Sequence, residues 1–350
     1  MHPSRLRPKA ATAILDMSVQ GPTRGSGVYV SFRALWIMTL FLAASTAGAQ
    51  EYPARLIRIV VAQAPSSGPD LAARTLGQKL SESWGQPVIV ENRPGANGII
   101  GGELVAKAKP DGYTLLLAVP SAVTVNQFVY KKMPYDPVRD FAPVTQIATN
   151  TFGVVVTPSL PVTSIKALVA LAKSRPGDLI YASAGIGNLT HLAGELFGHA
   201  AGVKMLHVPY KGTTPAQVDV ISGHAALMFV SMRGIADQVE AGRVRLLATM
   251  GEKRDPAFPK YPTLVESGYP GLVVIGWNGL LAPAGTPPDV VNKLSREIGR
   301  HLSVPEFRER MASLGADPSP STPEAFGTFI KAEAAKWQKV IRAIGLEHSQ

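Results

Sequence analysis

The sequence predicts an α/β protein of two lobes joined by crossing extended segments, and three observations carry that expectation. Short β-branched runs alternate with longer helical patterns, the rhythm of a parallel sheet with helices on its faces. About 300 residues follow a leader-like segment, more than one hydrophobic core comfortably serves. The alternation also falls into two blocks, the second opening near Thr145, with a helical tail behind it.

The leader comes first. Residues 1–30 are polar and basic, Arg33 precedes an apolar run at 34–44, and small residues lead to Ala47-Gly48-Ala49. A basic flank, a short apolar core and an A-x-A pattern make a secretory signal peptide. The run is too short for a bilayer core, which needs about 20 residues. Cleavage is expected after Ala49, placing the folded protein in the periplasm. Without the leader the charges fall from 35 basic and 25 acidic residues to 30 and 24, a formal +6. That field suits small anions. The basic residues are scattered and aromatics make up 7% of the chain, which is not the stripe a nucleic-acid groove wants. No cysteine is present, so disulfides, thiolate metal ligands and a cysteine nucleophile are excluded, and a soluble periplasmic protein is expected rather than a lipid-anchored one.

In the first block, Ile57–Val61 reads as a buried strand, and the turn Pro65-Ser66-Ser67-Gly68-Pro69-Asp70 follows it. Ala73, Leu76, Leu80 and Trp84 then recur at helical spacing. Residues 88–90 read as a strand, 92–98 as a turn and 99–107 as a helix. A Pro-Asp-Gly turn at 110–112 leads into a strand at 113–118. In the second block strands are expected at 153–156, 179–181, 204–208, 226–230 and 246–249. Helices are expected at 164–174, opened by a Ser164 cap, at 188–201 and at 214–222. Residues 273–281 look extended, and helices at 288–302, 305–314 and 323–344 make the tail. The tail packs back on the first block, because three helices alone would need their own core. Lobe 1 is therefore expected from 50–145 with 270–350 and lobe 2 from 146–269, with a ligand cleft between them.

Two strand-to-helix turns are the candidate chemistry. Ser66, Ser67, Gly68 and Asp70 stand where helix N-terminal amides and the helix dipole make an anion site. The alternative is an ordinary turn with Asp70 as a cap. The second turn, at 183–191, carries Ser183, Ala184, Gly185, Gly187, Thr190 and His191. Its G-x-G spacing begins a dinucleotide fingerprint, but Thr190 occupies the third glycine position. His191 reads equally as a donor to a carboxylate or as a helix-start side chain. Tyr210 and Lys211 line a cleft, or pack in the core and face solvent respectively; Trp277 walls the cleft or fills the core. G-x-S-x-G, H-E-x-x-H and a Walker loop are absent, so no catalytic set, metal site or cofactor is called for.

Several motifs resemble a family. They are Glu91-Asn92-Arg93-Pro94-Gly95-Ala96-Asn97-Gly98, Lys109-Pro110-Asp111-Gly112-Tyr113-Thr114-Leu115, Pro134-Tyr135-Asp136-Pro137 and Tyr181-Ala182-Ser183-Ala184-Gly185. Further along come His191-Leu192-Ala193-Gly194-Glu195-Leu196, His207-Val208-Pro209-Tyr210-Lys211-Gly212 and the run from Gly279 to Pro287. In this order they are similar to the Bug-type receptors, the extracytoplasmic solute-binding proteins of tripartite tricarboxylate transporters. The resemblance implies a type II periplasmic binding protein, a Venus flytrap with crossing hinge strands, closing over an organic acid. It implies that the turns at 65–70 and 183–191 grip a carboxylate, partly through water. It also implies that Ser121, Tyr210, Lys211, Gly212, Phe229 and Ser231 line the rest of the pocket. The expected partners are a small carboxylate and integral-membrane transporter subunits, with no nucleic acid and a monomeric receptor. A sensory module for a membrane kinase and a periplasmic hydrolase or lyase are the rival readings. The first turn departs from the family: Ser66 and Ser67 stand where glycines are usual, and Pro69 removes a backbone donor.

Overall fold

The computed structural model describes residues 51–314 and 316–350; the leader and its expected cleavage point lie outside them. Lobe 1 begins with β1 (Ile57–Val61), α1 (Gly68–Trp84), β2 (Val88–Asn92), α2 (Ile99–Ala106) and β3 (Thr114–Ala118). These strands are parallel, in the order β2-β1-β3. The helices form where expected. Ser67 caps α1, Gly85 ends it in the left-handed region, and Ala72, Ala73, Leu76 and Leu80 bury one face. After β3 the chain makes a π-helical turn, Ser121–Val125, and the short α3 (Asn126–Val129), all of it read in advance as no element. Ser121–Val125 and Asn126 are buried, and burial against neighbouring elements holds this helical stretch together where propensity does not.

β4 (Phe141–Val156) is the principal difference from the expectation, which placed a strand only at 153–156. It runs 16 residues. From Phe141 to Thr151 it pairs antiparallel with β9 (Ile275–Pro283); from Phe152 onward it pairs with β7 (Leu227–Ser231) and β8 (Arg245–Thr249). Pro143 and the Thr, Gln and Asn residues of 145–151 hide the first half from a pattern search. Long-range pairing, with register shifts near Val144 and Ile147, holds it as a strand. β4 and β9 are thus the crossing segments.

Lobe 2 continues with α4 (Ile165–Ser174), β5 (Ile180–Ser183), α5 (Leu189–Ala201), β6 (Leu206–Pro209), α6 (Thr213–Ser222) and the short α7 (Ala236–Glu240). β5 pairs parallel with both β6 and β7. The tail supplies α8 (Pro288–Leu302), α9 (Pro305–Ser313), the two-residue β10 (Asp317–Pro318) on β4, and α10 (Pro323–Ala343).

Each half-sheet is covered on both faces. In lobe 1, α1, α8 and α9 pack with β1 and β3 on one face; α2, the π-helical turn and the start of α10 cover the other. In lobe 2, α4 and α5 cover one face and α6 the other. The tail divides between them. Phe326 and Ile330 of α10 lie in the lobe 1 core, whereas Trp337 and Ile341 of the same helix lie in the lobe 2 core. Trp277 is 2% exposed, with Phe326 and Phe329 edge-on against it, so it fills the core. Among the described residues no helix is long and apolar enough to cross a membrane.

Candidate functional site

The first turn is built around Asp70, 2% exposed at the third position of α1. Its carboxylate accepts from the Ser66 amide at 2.9 Å, Arg74 Nε at 3.1 Å and Asn92 Nδ2 at 2.8 Å. Burial opposes ionisation of Asp70, and these bonds outweigh it, holding its carboxyl below the usual range. Ser67 Oγ accepts from the Asp70 amide, and the Ser67 amide donates to Ala64 O. Ser67 is the cap, and Asp70 braces the turn from inside. Ser66 takes φ 62°, a left-handed conformation in which glycine, the residue usual in the resembling family, has no Cβ to strain. Within this turn, among the described residues, Gly68 has the backbone amide left without an acceptor.

The second turn is organised by side chains of its own lobe. Ser183, fully buried, lies 2.6 Å from His207 Nε2 and accepts from the Gly185 amide at 3.1 Å. Thr190 Oγ1 accepts from the Ala184 amide at 2.8 Å, and Asn188 Oδ1 accepts from the Thr190 amide at 3.0 Å. The Gly187 amide donates to His191 Nδ1 at 3.1 Å. His191 Nδ1 is therefore an acceptor that holds the turn, in keeping with the helix-start reading, and the ring proton of the neutral imidazole lies on Nε2. Among the described residues, Ile186 and Leu189 keep unpaired amides here.

Behind this turn His191 and His207 stack with centroids 3.9 Å apart, and Tyr181 stacks on His207 at 4.8 Å. Burial lowers the His191 pKa to about 3, helped by His207, and lowers His207 to about 4. Both rings are neutral. Tyr181 donates to Glu195, and burial raises its pKa. Tyr210 donates to Asp219, and that bond pushes its phenol up to about 12. The Tyr210 amide reaches Ser183 O at 2.9 Å, which sets Tyr210, exposed Lys211 and Gly212 beside the second turn. Phe229 is fully buried with its ring edge-on to Tyr181, a layer behind; Ser231 ends β7 half-buried.

Between the turns stands a residue that motif reading passed over. Asn97, φ 52°, donates through Nδ2 to Ile186 O of the second turn. Its neighbour Gly98 packs against Ala62, where the first turn begins, and against Ala122 beside Ser121. His207, which reads from sequence as a structural or exposed residue, backs the site through its register with Tyr181. For Asn97 a signal was present: an Ala-Asn pair bracketed by Gly95 and Gly98 marks a special backbone. Surface depressions of about 530 Å³ against α8 and about 660 Å³ between α5, Leu206 and Ile344 lie outside these turns. Among the described residues no three His, Asp or Glu side chains are grouped to hold a metal ion.

A family model described as "Tripartite tricarboxylate transporter family receptor" matches residues 72–346. The chain belongs to that family. The resemblance read from its motifs is borne out, and so is the two-lobed type II architecture. Protein BugT of Bordetella pertussis is 36% identical over 318 residues, covering 89% of this chain and 98% of BugT. Among solved structures, "R. palustris Rpa4515 with adipate" is 35% identical with a TM-score of 0.80, covering 84% of this chain and 99% of that one. MatC from Rhodopseudomonas palustris with bound malate is 29% identical with a TM-score of 0.76, covering 83% of this chain and 100% of MatC. The tripartite tricarboxylate transporter receptors are solute-binding proteins, and this chain shares their fold across its described length.

Proposed function

We propose that this receptor captures a small organic carboxylate between its lobes in the periplasm and delivers it, as a monomer and without chemical turnover, to the membrane subunits of a tripartite transporter. One observation carries the reading: two helix N-termini, one from each lobe, keep unpaired amides at Gly68, Ile186 and Leu189, with the 97–98 segment of lobe 1 bonded to the second turn at Ile186 O and packed beside Ala62, at the end of the strand that leads into the first. Such amides, at the positive ends of α1 and α5, suit a carboxylate. Water completes its shell. Ser121, Tyr210, Lys211 and Ser231 line the remaining wall. Two related structures hold adipate and malate, which supports the acid class. The change of β4 partners at Phe152 supports a division close to the expected 50–145 with 270–350 and 146–269, shifted so that 146–151 side with lobe 1 and Leu272 and Val274 with lobe 2.

A thermal-shift screen against mono-, di- and tricarboxylates tests the reading. Ligand at about 100 times its Kd adds about 2.7 kcal/mol to stability. A shift confined to one class of acids is expected, with mass spectrometry finding the acid unchanged after incubation. No shift with any acid, after refolding to strip carried ligand, would overturn it.

A further inference from the structure

We propose that Asn97 is a positioning residue that couples capture to lobe closure, by bonding across the cleft to the peptide that shapes the second turn. The proposal rests on the receptor reading above. Asn97 belongs to lobe 1, yet its side-chain amide donates to Ile186 O in lobe 2. The next amide of that same peptide unit, Gly187 N–H, donates to His191 Nδ1. One peptide plane is therefore pinned at its oxygen by lobe 1 and at its nitrogen by lobe 2.

Gly187 makes room for this contact, since a Cβ there would stand 3.3 Å from Asn97 Nδ2. The G-x-G spacing at 185–187, which opened a dinucleotide fingerprint and did not complete it, is accounted for by the positive φ of both glycines, 128° and 75°, and by the Asn97 side chain against Gly187. Lobe 1 presents Asn97 rigidly. Ala96 and Asn97 both hold positive φ, 45° and 52°, the Gly98 amide bonds Gly95 O at 2.9 Å, and buried Asn126 donates to Asn97 O at 3.1 Å. Left-handed backbone at two consecutive non-glycine residues is retained only where surrounding contacts fix it.

A second link between the lobes behaves differently. Arg233 bonds Asp317 at 2.6 Å and Ala312 O at 3.2 Å. Asp317 pairs with Thr149 of β4 and the Met232 amide bonds Thr151 O, so that link sits on the crossing strands. The Asn97 bond lies at the turns, where opening the lobes must break it.

The cysteine-free chain allows paired nitroxide labels through Lys107→Cys in lobe 1 and Lys173→Cys in lobe 2, both exposed. Pulsed electron paramagnetic resonance then gives the closed-to-open ratio, without additive and with adipate or malate as probes. Two substitutions keep the left-handed backbone: Asn97→Gly removes the donor, and Asn97→Asp turns an acceptor toward Ile186 O. Both should leave the melting temperature of the acid-free protein near the parent's. Asn97→Gly should lower the closed-to-open ratio about 5- to 10-fold, the weight of one net hydrogen bond, and Asn97→Asp should lower it further. An unchanged ratio in both variants overturns the proposal, as does a parent that stays open when saturated with an acid that raises its melting temperature. If neither acid moves the parent's distribution, the choice of ligand class fails, and the acid-free ratios of parent and variants still decide the role of Asn97.

Discussion

His191 cannot carry a second ring proton without disturbing the second turn, because its Nδ1 already accepts the Gly187 amide, and burial opposes a charge on His207 beside it. Their folded pKa values lie below the unfolded value of about 6.5. Between pH 6.5 and the folded values the unfolded chain binds protons that the folded chain refuses, so stability falls as pH falls. Each ring contributes a slope of about 1.4 kcal/mol per pH unit in that window. His191→Asn and His207→Gln offer an oxygen near the replaced nitrogen, and each should flatten the slope by about one proton in urea unfolding between pH 4.5 and 6. An unchanged slope in the double variant would contradict this account. Asp70 acts in a separate window. Its carboxyl is held low, so its contribution persists above the unfolded pKa of about 3.8 and is lost on further acidification. Asp70→Ala unties Ser66, Arg74 and Asn92, and Thr190→Ala leaves the Ala184 amide unpaired. Each should cost about 1–2 kcal/mol in carboxylate affinity, measured by calorimetry with the acid found by screening.

At the scale of elements, most helices and the parallel strands were legible because their signals are local. Ser67 and Gly85 bracket α1, Asn188 and Gly202 bracket α5, and the buried positions follow helical spacing. The first half of β4 was not legible. Residues 145–151 are polar enough to read as a loop, and only pairing with β9, more than a hundred residues away, makes them a strand. The π-helical turn at Ser121–Val125 was hidden for the same reason. α10 reads correctly as a helix, but nothing in its pattern reveals that it spans two cores. Phe326 fits against Gly279, where a Cβ would stand 2.2 Å from the ring, and Trp337 is fully buried in the other lobe. Trp337→Ala should cost about 3–5 kcal/mol in chemical denaturation. Gly279→Ala should cost about 1–3 kcal/mol by overpacking. A loss below 1 kcal/mol in both would mean that α10 does not tie the two cores together.

At the scale of the molecule, β4, the chain entering β9 and α10 link the lobes, and any change in their relation must bend or repack these three. Closure by a ligand that contacts both lobes shifts a population, and the shift cannot exceed the ligand's preference for the closed form. The radius of gyration from solution scattering should therefore fall when the cognate acid saturates the protein, and a non-binding acid should leave it unchanged. Equal radii with and without the cognate acid would place capture in a preformed closed site.

The sequence by itself determined the α/β class, two blocks of alternation, the two strand-to-helix turns and, through its ordered motifs, the receptor family. These rest on periodicity, caps and glycine or proline signals that act within a few residues of the chain. Only the tertiary structure decided that Asp70 and His191 hold turns from within, that Gly68, Ile186 and Leu189 are the amides left over, and that Asn97 reaches Ile186. A hydrogen bond's partner is set by which distant segments meet, and a donor is known to be unpaired only after every neighbour has been placed.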